Sequence, residues 1–234
     1  GGPPVSLSVP DHARLEIKFV SYASQYATLL NWIKRHPANF YAPFPNRQVN
    51  NIYFDGYQYN AYSENLSGAS ARTKVRYRWY GASVEPRAGT LEIKQKRNYF
   101  GWKQHYPVKD APYRRDMSWN ALRGNIKRQI SERGRLWLDF NPFPVLLNRY
   151  HRMYFVSANQ KIRITVDTKQ AVWDQRFQSR PNFHRRSNLP DTLVVEVKFD
   201  RSDREHAGRI VQGLPLRVSR HSKYMTGVNA IAGK

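Results

Sequence analysis

Between Thr73 and Lys103 apolar and polar residues alternate with period two, the spacing of strands whose two faces meet different surroundings. Lys74, Arg76, Arg78 and Tyr80 fall on one face of the first half, and Val75, Tyr77 and Trp79 on the other. After a Gly/Pro-containing connection, Glu92, Lys94 and Lys96 share one face of the second half, and Leu91, Ile93 and Gln95 share the other. Successive strand side chains point to opposite sides of a sheet, so this is a hairpin with one apolar face and one face dense in cations. Similar patterning predicts strands over Arg14–Val20, Gln48–Phe54, Lys161–Asp167 and Leu193–Asp200, and a further strand carrying Lys103 and His105. Val145–Val156 is apolar with Arg149, His151 and Arg152 embedded in it. Spacings of three and four predict helices over Tyr22–His36, ended by Pro37, and over Tyr113–Arg135, with Ser118 as N-cap and Trp119, Leu122, Ile126 and Ile130 as the apolar stripe. Helices are also expected over Ser202–Gln212 and, as a short piece, over Tyr59–Leu66; Val172–Pro190 is expected to be a loop and Leu214–Val218 extended. The tally is about eight strands with two or three helices inserted at their connections, in one domain over 12–230 after a Pro-rich, flexible arm over 1–11.

A charged strand face ordinarily meets bulk water. Repetition argues for a second possibility. The sequence apolar-Glu-apolar-Lys recurs at 15–18, 91–94 and as Val195-Glu196-Val197-Lys198, while Arg76 and Arg78 have a counterpart in Arg163 on another alternating segment. If the sheet closes, these faces converge on one lumen.

Composition sharpens that choice. Lys and Arg total 39 against 17 Asp and Glu, a net charge of +22 that calls for an anionic partner. Nucleic acid is the usual partner of so basic a chain, and a polyanionic small molecule or a membrane surface the rarer one. The cations form no long block or tail; they are interleaved with apolar residues along strands, which favours a built pocket, and no specific nucleic acid is expected. At 40 % hydrophobic and 14 % aromatic the chain can build a core. It has no cysteine, which excludes disulfides, thiolate metal sites and cysteine nucleophiles and fits a reducing compartment. No apolar run is long enough to span a membrane and no signal peptide opens the chain, so a cytoplasmic protein is expected, with peripheral attachment to a membrane only through a partner.

Eight segments in order carry a resemblance: Arg-Leu-Glu-Ile-Lys-Phe (14–19), Ile-Tyr-Phe-Asp (52–55), Lys-Val-Arg-Tyr-Arg (74–78), Leu-Glu-Ile-Lys-Gln-Lys (91–96), Tyr-His-Arg-Met-Tyr-Phe (150–155), Arg-Ile-Thr-Val-Asp (163–167), Val-Val-Glu-Val-Lys (194–198) and Ser-Lys-Tyr (222–224). Together they resemble the VTC-domain branch of the CYTH-like, or triphosphate tunnel metalloenzyme, superfamily, over nearly the whole chain. The resemblance implies a mainly β, α+β fold: an eight-stranded antiparallel barrel with covering helices and a lumen that binds triphosphate. It implies a polyphosphate polymerase that moves the γ-phosphate of ATP onto a growing inorganic chain with Mn²⁺ or Mg²⁺. Carried over residue by residue, it assigns catalysis to Arg76, Arg78, Lys94 and Arg152. Phosphate binding goes to Lys18, Arg14, Lys96, Lys103, Arg163, Lys198 and Lys223, and metal binding to Glu196, with Glu16 and Glu92 as helpers. The superfamily signature on the first strand is Glu-x-Glu-x-Lys, and here Arg14 stands in its first position. Losing that carboxylate removes a metal ligand and moves the resemblance away from the hydrolytic and cyclase branches.

The residue types suit the chemistry. Phosphoryl transfer asks the protein for positioning and charge neutralisation more than for covalent work. Arg grips two oxygens with a planar fork and Lys supplies a compact charge. A tunnel triphosphatase, a non-catalytic polyphosphate or nucleotide-binding module and a nucleic-acid binder remain open alternatives at this point. Bound phosphate or sulfate is expected in any such lumen. His105, His151 and His221 are expected to be surface or hydrogen-bonded histidines, and Tyr53, Phe54, Tyr77, Trp79 and Trp102 to be core and barrel exterior.

Overall fold

The alternation closes on itself. In the computed structural model, which describes residues 8–57 and 71–218, ten strands and four helices are found. The strands are β1 (Arg14–Tyr22), β2 (Arg47–Asp55), β3 (Ala71–Tyr80), β4 (Gly89–Arg97), β5 (Phe100–Val108), β6 (Phe143–Val156), β7 (Ile162–Asp174), β8 (Arg186–Ser187), β9 (Thr192–Phe199) and β10 (Arg217–Val218). The helices are α1 (Tyr26–Arg35), α2 (Trp119–Lys127), α3 (Glu132–Phe140) and α4 (Arg204–Val211). Going round, β1 pairs with β5, then come β4, β3, β2, β6, β7 and β9, and β9 returns to β1. All these pairings are antiparallel, so eight strands form a closed barrel; the two-residue β8 and β10 attach to β7 and β1. The joint between β1 and β5 is short, Arg14 opposite Gly101 and Leu15 opposite Phe100, whereas β1 and β9 pair from Leu15–Phe199 to Tyr22–Thr192.

The barrel is apolar outside and polar within. On one side the outer faces of β2, β3 and β4 (Ile52, Phe54, Val75, Tyr77, Trp79, Leu91 and Ile93) pack against Trp119, Leu122, Ile126, Trp137 and Leu138 of α2 and α3. On the other, Leu15, Phe19, Ile162, Ile164, Val195 and Val197 pack against Leu29 and Ile33 of α1 and Ala207 and Ile210 of α4. Such outward apolar faces must be covered, and the helices cover them. Ser118 caps α2, its Oγ accepting from the Ala121 N–H at 3.1 Å, which fixes where the chain turns into the covering layer.

Several expectations differ in detail. The first strand runs on to Tyr22, so α1 begins only at Tyr26, after a 3₁₀ turn. The single helix expected over Tyr113–Arg135 is two, divided between Lys127 and Glu132. β7 extends to Asp174, into the segment expected to be a loop. The helix expected over Tyr59–Leu66 lies outside the described residues. Among the described residues there are four helices, where two or three were expected. Among the described residues no helix is long and apolar enough to cross a membrane.

An irregularity in β7 decides which side chains face inward. Pairing with β6 shifts between Arg149–Ala171 and His151–Thr168, and Lys169 adopts a left-handed backbone with φ 52°. Before this bulge the even residues Ile162, Ile164 and Val166 face the outer core; after it the odd residues Ala171 and Trp173 do. A bulge adds one residue to a strand and so exchanges its faces.

Candidate functional site

The inward faces of β1, β2, β3, β4, β5, β6 and β9 build a lumen lined by Lys18, Tyr53, Lys74, Arg76, Arg78, Lys94, Lys103, Tyr150, Arg152, Glu196 and Lys198. Strand register sets its rows. Lys94 lies directly opposite Lys74 on one side and Lys103 on the other, so three lysines stand abreast. Glu92 likewise lies between Arg76 and His105. Lys18 is opposite Glu196, and Glu16 opposite Lys198.

The carboxylates among these cations are shared out. Arg76 donates from Nε to Glu92 Oε2 at 2.7 Å, and Arg78 Nε stands 3.9 Å from the same oxygen. Burial favours a neutral Glu92, but Arg76, Arg78 and Lys103 overcome it and hold the group well below the usual carboxylate range. Arg76 is raised in turn, Glu92 outweighing its burial. Arg152 makes a two-pronged pair with Asp167, at 2.7 and 2.9 Å, and is likewise pushed up despite burial. Lys94 Nζ reaches Glu16 at 3.1 Å. Against its own burial Glu16 is lowered by Lys94 and Lys198, while nearby Glu196 opposes its ionisation. Glu196 is 3.4 Å from Lys18 and 3.6 Å from Lys198.

Lys74 and Lys103 line the lumen without a hydrogen bond or ion pair to any described residue. Burial depresses both well below the ordinary lysine value; Lys18 and Lys94 add to it for Lys74, and Lys198 and Arg76 for Lys103. Among the described residues eight basic side chains line the lumen and four carboxylates, Glu16, Glu92, Asp167 and Glu196, answer them, so basic groups outnumber acidic ones by four.

Of the residues singled out from sequence, Lys18, Arg76, Arg78, Lys94, Lys103, Arg152, Glu196 and Lys198 meet in this lumen, with Glu16 and Glu92 in contact with it. Lys96 is half-buried and not among the lining side chains; burial lowers it, with Glu16 opposing. Arg14 is at the rim, its Nε 3.6 Å from the exposed Asp200. Arg163, opposite Lys198 on β9, is exposed. Lys223 and His221 lie outside the described residues. His105 is half exposed, its Nδ1 3.5 Å from Glu92. Phe54, Tyr77 and Trp79 belong to the outer core, and Trp102 bonds Gln95, at 3.0 Å. Tyr53 departs from expectation: it faces the lumen, its hydroxyl 3.5 Å from Arg76.

Lys74 was legible on the charged face of its strand but was not singled out. Asp167, Asn51, Asn148 and Tyr150 were not picked either. Asn51 is fully buried, accepts from Arg78 Nε at 2.7 Å and donates to Asn148 Oδ1 at 2.8 Å; Arg78 also donates to the Tyr150 hydroxyl at 2.8 Å. The neutral Asn51, Asn148 and Tyr150 follow no charge pattern in the sequence.

For a divalent cation the donor set is small. Among the described residues no group of three or more His, Asp or Glu side chains is assembled to hold one. Glu196 nonetheless lies opposite Thr165, whose Oγ1 is buried with no hydrogen-bond partner among the described residues, and Glu16 is close by. These are hard oxygen donors, suited to a Mg²⁺- or Mn²⁺-like ion that takes its other ligands from phosphate and water. Glu92 differs, since its Oε2 is engaged by Arg76.

The family model of the VTC domain matches residues 13–232. No curated protein sequence matches the chain. Among solved structures, a putative adenylyl cyclase from Hippeastrum, described as having a dominant triphosphatase activity, is similar over 94 % of this chain and 96 % of its own, with a TM-score of 0.55 and 13 % identity. A putative adenylate cyclase from Vibrio parahaemolyticus is similar over 91 % of this chain and 97 % of its own, at a TM-score of 0.49 and 12 % identity. The likeness to the Hippeastrum protein concerns the fold alone. Given a match that spans nearly its whole length, the chain belongs to the VTC-domain family.

Proposed function

We propose that this barrel is an ATP-polyphosphate phosphotransferase, which holds the triphosphate of ATP in its lumen and passes the γ-phosphoryl group to the end of a polyphosphate chain. The observation that supports this most is the excess of basic groups in the lumen, above all Lys74 and Lys103, which make no hydrogen bond or ion pair with any described residue. An enclosed ion costs several kcal/mol even after relaxation. A linear phosphate polymer, with about one charge per unit, offers both the charge and the narrow shape to relieve it. A nucleic-acid duplex is too broad for the inside of a closed eight-stranded barrel, which is only wide enough for side chains and a small ligand.

In the proposed reaction a terminal oxygen of the acceptor chain attacks the γ-phosphorus in line. A phosphorus–oxygen bond forms to the acceptor as the bond to the β–γ bridging oxygen breaks, and ADP leaves with that oxygen and its electron pair. The acceptor is already ionised, so no general base is needed. Arg76, Arg78, Lys94 and Arg152 stabilise charge on the transferring group. Lys18, Lys74, Lys103 and Lys198 hold the neighbouring phosphates, and Arg14, Lys96 and Arg163 draw the polyanion toward the mouth. A Mn²⁺ or Mg²⁺ ion on Glu196, with help from Glu16, would supply further neutralisation of phosphate oxygens. The proposed setting is the cytoplasm, with any membrane contact made through a partner.

Hydrolysis of triphosphate is the second reading. It draws on the activity described for the Hippeastrum protein of like fold and differs in that water replaces the chain as acceptor. A module that binds without turnover is the third. Incubating the protein with ATP and Mn²⁺, and resolving products by phosphorus NMR and a polyphosphate-stained gel, separates the three. Long chains with stoichiometric ADP are expected. Orthophosphate without chain makes the protein a triphosphatase, and triphosphate binding without turnover makes it a binding module. Lys94→Ala and Arg76→Ala are each expected to abolish turnover while the barrel stays folded by circular dichroism; retained activity overturns the assignment.

A further inference from the structure

The buried arginines of the lumen are held in two different ways. Asp167, fully buried, grips Arg152 through both carboxylate oxygens, at 2.7 and 2.9 Å, so that guanidinium is largely cancelled by its own holder. Arg78 is fixed as firmly, but by neutral atoms: the amide oxygen of Asn51 at 2.7 Å and the hydroxyl of Tyr150 at 2.8 Å. Its nearest carboxylate among the described residues is Glu92, at 3.9 Å, and that oxygen is already taken by both Nε and Nη2 of Arg76 at 2.7 Å. The orientation of Asn51 follows from its neighbours. A guanidinium can only donate, so Oδ1 faces Arg78, and Nδ2 is left to donate to Asn148 Oδ1 at 2.8 Å. The strands enforce the arrangement, because Asn51 lies directly opposite Arg78 on β3 and Asn148 on β6. A carboxylate at this position would also hold Arg78; the amide differs in carrying no charge and in donating to Asn148.

Resting on the polyanion-binding reading above, we propose that Asn51 is a positioning and specificity residue: it orients Arg78 toward phosphate while leaving the charge of Arg78 available to the ligand. Arg78 thereby attracts the polyanion more strongly than Arg152, whose charge Asp167 offsets and which acts on the transferring group mainly by donating hydrogen bonds. Asn51 makes no contact with the ligand itself.

Asn51→Asp keeps the shape and the oxygen facing Arg78, adds charge, and removes the Nδ2 donor, so that Asn148 must turn its own amide nitrogen toward the new carboxylate. Titration calorimetry with inorganic tripolyphosphate, without metal, is expected to show an affinity at least tenfold lower in this variant, measured where melts show it fully folded. The deficit is expected to shrink as salt is raised, because charge is screened and a packing defect is not. Asp167→Asn makes the reverse exchange at Arg152 and is expected to bind tripolyphosphate at least threefold more tightly. If the wild-type protein fails to bind tripolyphosphate, the polyanion reading itself fails. If it binds, and Asn51→Asp binds within twofold of it, Asn51 has no such role. Should Asn51→Asp unfold, Asp167→Asn decides: unchanged or weaker binding overturns the division between the two arginines, and tighter binding upholds it.

Discussion

Lys74 concentrates the tension between stability and ligand binding in one side chain. It faces Lys94 across the β3–β4 pairing, lacks a partner among the described residues, and is held well below the ordinary lysine value. A lysine whose folded pKa is depressed binds fewer protons folded than unfolded, so protonation opposes folding, and stability rises as the pH climbs from the folded value toward the unfolded one. Lys74→Met is therefore expected to raise the melting temperature of the ligand-free protein at neutral pH, by about 2–4 °C for each kcal/mol gained. The gain is expected to shrink as the pH approaches about 10, where the unfolded lysine also loses its proton. The same variant is expected to bind tripolyphosphate more weakly. Thermal melts across that pH range check the first outcome and calorimetry the second. Residue-scale chemistry of this kind was half legible in the sequence. The Glu-x-Lys and Arg-x-Arg repeats exposed the cations of the lumen, because ionisable residues on alternating positions leave a pattern. Asn51 and Tyr150 leave none: a neutral side chain in a strand reads the same whether it packs in the core or orients an arginine. Arg163 shows the opposite case, with the inward-facing register but a place so near the rim that it is exposed.

At the scale of elements, two glycines let strands and charges come close. An added Cβ at Gly89, at the start of β4, would lie 2.1 Å from the Arg78 carbonyl oxygen of the neighbouring strand. At Gly101, on β5, it would lie 3.0 Å from Glu16 Oε1. The first clash is with backbone, which cannot swing away. Gly89→Ala is thus expected to destabilise the protein by about 1–3 kcal/mol, within the range of packing and backbone defects, and to weaken tripolyphosphate binding by shifting Arg78. Chemical denaturation and calorimetry on the same preparation check both effects. Strand assignments were legible because period-two alternation is a local property. The break between α2 and α3 was not: the apolar stripe persists as far as Ile130, and the chain turns before Glu132 to bring Trp137 and Leu138 onto the same side of the barrel. The bulge at Lys169 was hidden for a similar reason, since only pairing with β6 reveals it.

Considered whole, the molecule places its hydrophobic core outside its barrel and its unbalanced charge inside. Binding of an anion to the folded state alone then adds stability by mass action, about 2.7 kcal/mol at a hundredfold excess over the dissociation constant. Melting temperature is expected to rise with tripolyphosphate concentration, and with sulfate only at much higher concentration; differential scanning fluorimetry measures both. Equal rises with sodium chloride of the same ionic strength would make the effect one of general screening. Closure of the barrel was implied by resemblance, and in the residues themselves it showed only as charged faces on strands far apart in sequence. What no local pattern could show is how far each strand is offset from the next, and therefore which cations meet.

The change of face at Lys169 has a consequence for how such a chain can diverge. Each strand carries two interleaved messages, one for the apolar shell and one for the polyanion, separated only by odd and even position. A single inserted residue acts on them like a frameshift, moving lysines into the shell and leucines into the lumen beyond the insertion point. β7 contains one such shift already, with its two messages exchanged at the bulge so that Asp167 on one side and Trp173 on the other both face correctly. Substitution can therefore rewrite either message independently, whereas a change of length inside a strand survives only where the sequence downstream is written in the other frame.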